Sequence, residues 1–101
     1  MDTSAPGMAR LVGRAEHIRA AARRHRGTGR VLVFGSVARG DDGPGSDVDL
    51  LVEFAEGASL FDQVALEDEL ADLLGTAVDV MSLGAQGRAA DHARSHAVEL
   101  R

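Results

Sequence analysis

The sequence predicts an α/β (α+β) domain in which helices pack on a small mixed β-sheet of three to four strands. Three short apolar stretches, at residues 31–34, 47–54 and 76–81, have the patterns of strands. Around them, apolar residues recur at helical spacing, and glycine-containing segments separate the two kinds of pattern. A chain of 101 residues suits one domain, 1–101, with enough buried surface for a single core.

The N-terminal third is predicted to form one amphipathic helix. Residues 1–7 contain a proline and a glycine and show no periodicity, so we expect this segment to be frayed and disordered. Apolar residues follow helical spacing over 8–26, and the Gly27-Thr28-Gly29 segment then predicts a stop and a turn. An arginine-rich, acid-poor helix at this position is also typical of an organelle transit peptide, but the short length favours a structural helix.

The first predicted strand is followed by a short helix and a loop. Residues 31–34 are continuously apolar, which indicates a strand buried on both faces. Ser36 is suited to cap a short helix over 37–39, and Gly40 to end it. Residues 41–45 combine Asp, Gly and Pro, a composition typical of a loop.

The second and third predicted strands carry acidic residues. Successive side chains of a strand point to opposite faces. The strand at 47–54 therefore has one face with Asp47, Asp49, Leu51 and Glu53 and another with Val48, Leu50, Val52 and Phe54. Glu53 lies at the far end of this strand, and we interpret it as a structural or solvated residue. The strand at 76–81 places Asp79 between Val78 and Val80, where a purely structural residue would be apolar.

Two helices complete the prediction. Ser59 is suited to cap a helix through Leu74, with Asp62 in its first turn and Gly75 at its end. A broad apolar stripe is expected to pack on the sheet, and acidic residues to cover the outer side. The stripe comprises Leu60, Phe61, Val64, Leu66, Leu70, Leu73 and Leu74, and the acids are Glu67, Asp68, Glu69 and Asp72. A final helix over 88–98 has little apolar bulk, so we expect it to pack loosely or to be completed by a partner.

Composition and charge exclude several classes of protein. The chain has no cysteine, which excludes disulfides and thiolate zinc sites and fits a cytoplasmic location. No apolar run approaches the ~18 residues of a membrane span, and no secretory segment is evident, so we expect no membrane association. Residues 1–30 carry seven Arg and two acids, whereas 31–101 carry four Arg and fourteen acids. The basic part lacks base-stacking aromatic residues, so we expect no direct nucleic-acid binding.

The stretch from Val31 to Val52 has the composition of a phosphate and metal site. Gly35 and Ser36 form a turn whose backbone amides can hold phosphate oxygens. Asp47 and Asp49 project side by side from one strand and would repel each other without a cation, and hard divalent cations prefer oxygen ligands. Mg²⁺ and a nucleoside triphosphate are therefore the predicted ligands.

These residues also carry a family resemblance. Gly35-Ser36, ten intervening residues and Asp47-x-Asp49 resemble the signature of the DNA polymerase β-like nucleotidyltransferase superfamily. The fuller runs around them, Phe34-Gly35-Ser36-x-Ala38-Arg39-Gly40 and Ser46-Asp47-x-Asp49-Leu50-Leu51-Val52, with Ser59-Leu60-Phe61-Asp62, are similar to the minimal nucleotidyltransferases (MNT). Those proteins are the antitoxin halves of HEPN/MNT toxin–antitoxin pairs. The resemblance extends from about residue 30 to residue 100 and implies a nucleotidyltransferase-like fold.

The resemblance implies a chemistry and a partner. Asp47, Asp49 and Asp79 would be the catalytic carboxylates and hold two Mg²⁺ ions, and Asp79 would be the third carboxylate on the next strand. Gly35, Ser36 and Arg39 would bind the triphosphate of ATP, with the planar guanidinium of Arg39 reaching the β- or γ-phosphate. The implied reaction transfers AMP onto a tyrosine hydroxyl of a helical HEPN RNase toxin and silences it.

Two rival interpretations stay open at this point. One is a non-catalytic antitoxin that covers its toxin sterically, and the other is a nucleotidyltransferase acting on a small-molecule hydroxyl. The second is disfavoured because so small a domain has no evident lobe for a small-molecule acceptor. The segment 81–87 and the weakly apolar last helix depart from the family pattern, which bears on partner docking. His92 and His96 have a spacing that can bind zinc, but no third ligand is evident.

Overall fold

The computed structural model describes residues 6–41, 43 and 47–101. Residues 1–5 of the segment 1–7 that was predicted to be frayed lie outside the described residues. Residues 42, 44 and 45 of the predicted loop 41–45 also lie outside them. The elements are, in order, α1 (Pro6–Gly13), α2 (Ala15–Arg24), β1 (Gly27–Phe34), α3 (Gly35–Arg39), β2 (Val48–Phe54), α4 (Leu60–Leu74), β3 (Val78–Ser82), α5 (Arg88–Ser95) and β4 (Val98–Glu99).

The four strands form one mixed sheet in the order β3-β2-β1-β4, which confirms the predicted fold class. β1 pairs antiparallel with β2 and with β4, and β2 pairs parallel with β3. β4 corrects the prediction of a helix over 88–98, since α5 ends at Ser95. The reason lies in the next residues: Leu100 is 2% exposed in the core, and its amide donates to the Val31 carbonyl at 2.9 Å. Both interactions draw the end of the chain along β1 in an extended conformation.

The N-terminal part differs from the single helix predicted over 8–26. The chain is already helical at Pro6, and the helix is interrupted at Arg14, directly after Gly13, a residue of low helix propensity. The turn predicted at 27–29 is also wrong, because β1 begins at Gly27. The reversal occurs instead at Arg26, whose φ is +66°, and the pairing of β1 with β2 shifts register between Gly27 and Val31.

Two smaller boundary predictions around α3 and β2 are also corrected. Ser36 does not cap α3, because the helix begins one residue earlier, at Gly35, and Phe34 occupies the capping position. Gly40 ends α3 with a left-handed φ of +78°, as predicted. β2 begins at Val48, so Asp47 lies immediately before the strand.

The sheet has two unequal faces. The larger core lies where α1, α2 and α4 pack on one face, and it includes Ile18, Val33, Leu50, Leu66 and Val80. The opposite face carries a smaller cluster formed by Leu32, Leu51 and Ala93, with Phe34 and Met81 packed against it. α5 covers this second face through the small side chain of Ala93. Asp49 and Asp79 alternate with Leu50 and Val80 along their strands, so their side chains also belong to this thinly covered face.

α4 confirms its predicted ends but corrects its predicted apolar stripe. Ser59 and Asp62 form a capping box, and Gly75 ends the helix in a left-handed conformation. The buried side consists of Leu66, Leu70 and Leu74, which recur every four residues. The first-turn residues predicted to pack on the sheet are exposed instead: Leu60 71%, Phe61 86% and Val64 47%. Phe61 and Val64 lie on the helix side that carries Asp68 and Asp72, because residues three, four and seven positions apart share a side.

Side chains of α4 cover the outer edge of β3. Gln63 donates to the Val80 carbonyl at 2.8 Å, and the Val80 amide donates to Glu67 at 2.8 Å. Glu69 likewise turns inward, to Arg24 and to His25 Nε2, the latter at 2.8 Å. Glu67 and Glu69 therefore do not cover the outer side as predicted. An uncovered strand edge is a template for pairing with another chain, so the bonds from Gln63 and Glu67 to Val80 protect the edge of the sheet.

We expect the Gln63→Ala/Glu67→Ala double variant to lose about 1–3 kcal/mol of unfolding free energy and to self-associate more strongly. The loss follows because the amide and carbonyl of Val80 are left without their side-chain partners. Urea unfolding and sedimentation velocity measure the two effects. Asp68→Ala, on the exposed side of the same helix, is the matched control. A double variant as stable and monomeric as this control would show that the edge needs no cover.

No helix in the described part of the chain is both long and apolar enough to cross a membrane.

Candidate active site

The site is built where β1 ends against β2. Phe34, the last residue of β1, pairs with Asp49 of β2. The next residue, Gly35, has a φ of +74°, and a Cβ added there would lie 3.1 Å from Asp49 Cγ and still closer to its Oδ2. The Asp49 carboxylate therefore lies directly against the Cα of Gly35. Both the backbone conformation and the close approach require glycine at this position.

The three predicted carboxylates are brought to one end of the sheet. Asp49 and Asp79 are register partners on the adjacent parallel strands β2 and β3, so both side chains leave the same face. Asp47 precedes β2 by one residue and is exposed. Strand pairing thus supplies the juxtaposition that the sequence could only suggest for Asp79.

Burial and neighbouring charge both act on Asp49. Burial raises the pKa of the Asp49 carboxyl above its ordinary value, and the negative charges of Asp79 and Asp47 raise it further. The positive charge of Arg39 opposes this shift but is the smallest of the four effects. The site therefore holds more negative charge than its own cationic residue compensates.

The carboxylates have the chemistry that a hard divalent cation requires, but they do not form a preorganised coordination site. Carboxylate oxygens on a shared face are the ligands that Mg²⁺ prefers. Within the ranges that the structure describes, however, no three or more His, Cys, Asp or Glu side chains are grouped closely enough to hold a metal ion. Like charges repel, so a closer approach of the three carboxylates requires a positive charge between them. Mg²⁺ commonly keeps several ligands from water and substrate phosphates, which suits a site with few protein ligands.

The predicted triphosphate-binding residues lie beside Asp49. Gly35 and Ser36 open α3, and Arg39 closes it. The exposed Arg39 donates from Nε to Asp41 Oδ2 at 3.1 Å. Its positive charge lowers the pKa of Asp49, and its side chain lines the same cleft as Gly35.

A cleft of about 190 Å³ adjoins these residues, and sequence reasoning did not find its far wall. Gly35 and Arg39 line one side, and α5 lines the other together with His96, the residue directly after it. The complete lining is Phe34, Gly35, Arg39, Ala89, His92, Ala93 and His96. Counted from Ala89, the lining residues of α5 and His96 at its C-cap are spaced by three, four and seven positions, so they share one side of the helix. That spacing was the available signal, but the sequence suggested only zinc for the two histidines, without a third ligand, and did not connect them with Gly35 and Arg39.

Fold and site together define a class of α+β domains in which carboxylates lie at one end of a mixed sheet, packed against a glycine turn. Within that class the chain belongs to the nucleotidyltransferase domain family, whose sequence profile matches residues 15–98.

Relatives with assigned names are similar over the central part of the chain. A candidate protein adenylyltransferase of Methanocaldococcus jannaschii is 50% identical over 56 residues, which is 55% of this chain and 60% of that protein. The protein adenylyltransferase MntA of Thermococcus cleftensis is 46% identical over 55 residues, 54% of this chain and 56% of that protein. The similarity therefore spans little more than half the length of these relatives.

Solved structures extend the similarity over nearly the whole domain. A candidate minimal nucleotidyltransferase superimposes with a TM-score of 0.75 and 40% identity, covering 90% of this chain and 93% of that chain. A toxin–antitoxin crystal structure with AMP-PNP superimposes with a TM-score of 0.73 and 21% identity, covering 86% of this chain and 72% of that chain. The first supports family and fold, and the second supports the fold.

Proposed function

We propose that this protein is a Mg²⁺-dependent protein adenylyltransferase that moves AMP from ATP to a tyrosine hydroxyl of a HEPN-type toxin and thereby acts as its antitoxin. The observation that carries the proposal is the packing of Asp49 against Gly35, with Asp79 in register beside it. This arrangement supports the proposal, because the turn at Gly35 would accept phosphate next to carboxylates that would hold a cation. We also place the protein in the cytoplasm, a location that fits its lack of cysteine.

Each residue of the site has a distinct part in this proposal. Asp47, Asp49 and Asp79 would hold divalent cations, which supply charge stabilisation for the attacking and leaving oxygens when bound. The backbone at Gly35 and the hydroxyl of Ser36 would hold the phosphates close to Asp49, since no Cβ intervenes. Arg39 would turn from Asp41 to the outer phosphates, because a charged phosphate oxygen competes well for its guanidinium.

The acceptor is proposed from similarity rather than from the site. One relative is named a protein adenylyltransferase and another a candidate for that activity, and the sequence motifs resemble those of antitoxins paired with HEPN toxins. The thinly covered sheet face is compatible with a large acceptor, because α5 contributes mainly small side chains there. A protein acceptor can bring its own surface to such a face.

The test is a transfer assay with the full chain, Mg²⁺, the toxin encoded by the neighbouring gene, and ATP labelled on either the α- or the γ-phosphate. We expect α-label to enter a toxin tyrosine and γ-label to leave with pyrophosphate, and we expect chelation of Mg²⁺ to stop the transfer. Toxin RNase activity should fall in parallel with labelling. Silencing without ATP would instead establish an antitoxin that acts by steric binding. Label transferred only to small-molecule hydroxyls would contradict the protein acceptor.

A further inference from the structure

The side of the cleft formed by α5 presents two imidazoles toward the site. His92 and His96 are both exposed, and their ring centroids lie 4.5 Å apart with the planes tilted by 43°. They share the cleft with Arg39 and Gly35. Three of the lining side chains therefore carry nitrogen atoms that donate hydrogen bonds when the side chain is cationic, and no lining residue is a carboxylate. A cleft of this composition suits an anion.

The hydrogen bonds of His96 fix the orientation of its ring. The Ser95 hydroxyl donates to the His92 carbonyl at 2.8 Å and lies 2.9 Å from His96 Nδ1, which is itself 3.2 Å from the same carbonyl. A carbonyl oxygen only accepts, so we assign the Nδ1 proton to this contact. Nδ1 is thereby held by the backbone of α5, and in the imidazolium form Nε2, at the opposite end of the ring, is the donor left for an anion.

We propose that His92 and His96, together with Arg39, bind the β- and γ-phosphates of the nucleoside triphosphate. This inference rests on the proposed function and assigns α5 a role in it. Gly35 lies both against Asp49 and in the cleft wall, so a triphosphate whose α-phosphate is near Asp49 would extend past Gly35 toward the two histidines.

The size of the cleft and the packing of the rings favour phosphates over a nucleobase. Ligand sites for whole small molecules are ~300–1,000 Å³, so a cleft of about 190 Å³ accommodates only part of a nucleotide. The two imidazoles pack partly on each other, which reduces the ring surface available for stacking on a base. Their nitrogen-bearing edges are suited to charged oxygen acceptors.

The test compares binding of ATP, inorganic tripolyphosphate and AMP by calorimetry in the presence of Mg²⁺. We expect His92→Ala/His96→Ala to bind ATP and tripolyphosphate about 10- to 100-fold more weakly, because bonds to charged groups are lost, and to bind AMP like the unmodified protein. Alanine favours helix, so α5 should persist in this variant. His17→Ala, an exposed histidine of α2 on the other side of the sheet, is the matched control.

A second variant separates phosphate binding from base stacking. His92→Phe/His96→Phe keeps two flat rings but removes their nitrogen atoms, so it should lose ATP affinity as the alanine variant does. Retained ATP affinity in the phenylalanine variant, or weaker AMP binding with unchanged tripolyphosphate binding, would overturn the inference. Unmodified protein that binds neither ATP nor tripolyphosphate would instead refute the proposed function itself.

Discussion

Asp49→Asn is expected to reduce adenylyl transfer about 10³-fold, because a carboxylate that holds divalent cations supports several kcal/mol of transition-state stabilisation. The same substitution should make the ligand-free protein more stable. Asn has the shape of Asp but no charge, so it removes the repulsion with Asp79 and Asp47 and the desolvation of a charged group. Loss of activity with gain of stability is the pattern expected of a functional carboxylate and not of a structural one.

The pH dependence of that gain follows from the raised pKa of Asp49. Between the ordinary carboxyl pKa of 3.8 and the raised value in the fold, the folded state binds more protons than the unfolded state. The contribution of Asp49 to the free energy of unfolding is therefore most favourable below pH 3.8. This contribution is lost as the pH rises through the folded-state pKa. The gain in stability of Asp49→Asn over the original protein should be largest near neutral pH and should vanish in acid.

Thermal unfolding across pH measures this difference. After allowance for solvent screening at a half-buried site, we expect a rise of about 2–4 °C at pH 7. Asp68→Asn, exposed on the outer side of α4, is the matched control and should change neither transfer nor melting. Equal melting of Asp49→Asn and the original protein at all pH values would mean that the three carboxylates do not interact.

The fold was largely predictable because its elements have strong local signals. The capping box at Ser59, the left-handed glycines at the ends of α3 and α4, and the alternation along β2 all act within a few residues. The errors arose where distant contacts decide the conformation. β4 forms because Leu100 is buried in a core made by other elements, and no local pattern in the last residues shows this.

The site shows the same division between local and distant information. The Gly35 turn and the Asp47–Asp49 pair are close in sequence, and their predicted use follows from the phosphate-binding amides of a glycine turn and from the alternation of side chains along a strand. The register of Asp79 with Asp49 depends on parallel pairing, which the sequence does not specify. The sequence assigned His92 and His96 no part in this site, because their position opposite Gly35 depends on how α5 packs on the sheet.

Gly35→Ala is expected to reduce transfer about 10²–10³-fold and to destabilise the fold by about 1–2 kcal/mol, through a left-handed backbone that a Cβ disfavours. The added Cβ would also displace the Asp49 carboxylate and keep phosphate away from the turn. Gly40→Ala provides the matched control. Its φ of +78° carries a similar backbone cost, but a Cβ there meets nothing within 4 Å. It should therefore lose stability while keeping most of its transfer rate.

A double-mutant cycle isolates the contact between Gly35 and Asp49. If the Cβ of Gly35→Ala destabilises the fold partly by colliding with this carboxylate, Asp49→Ala should remove that part of the cost. The stability loss from Gly35→Ala should then be smaller in the Asp49→Ala background than in the original protein. Additive stability changes, together with equal transfer rates for Gly35→Ala and Gly40→Ala, would show that only backbone strain acts at this turn. In that case the glycine would have no part in holding phosphate beside the carboxylates, and the proposed arrangement of the site would have to be abandoned.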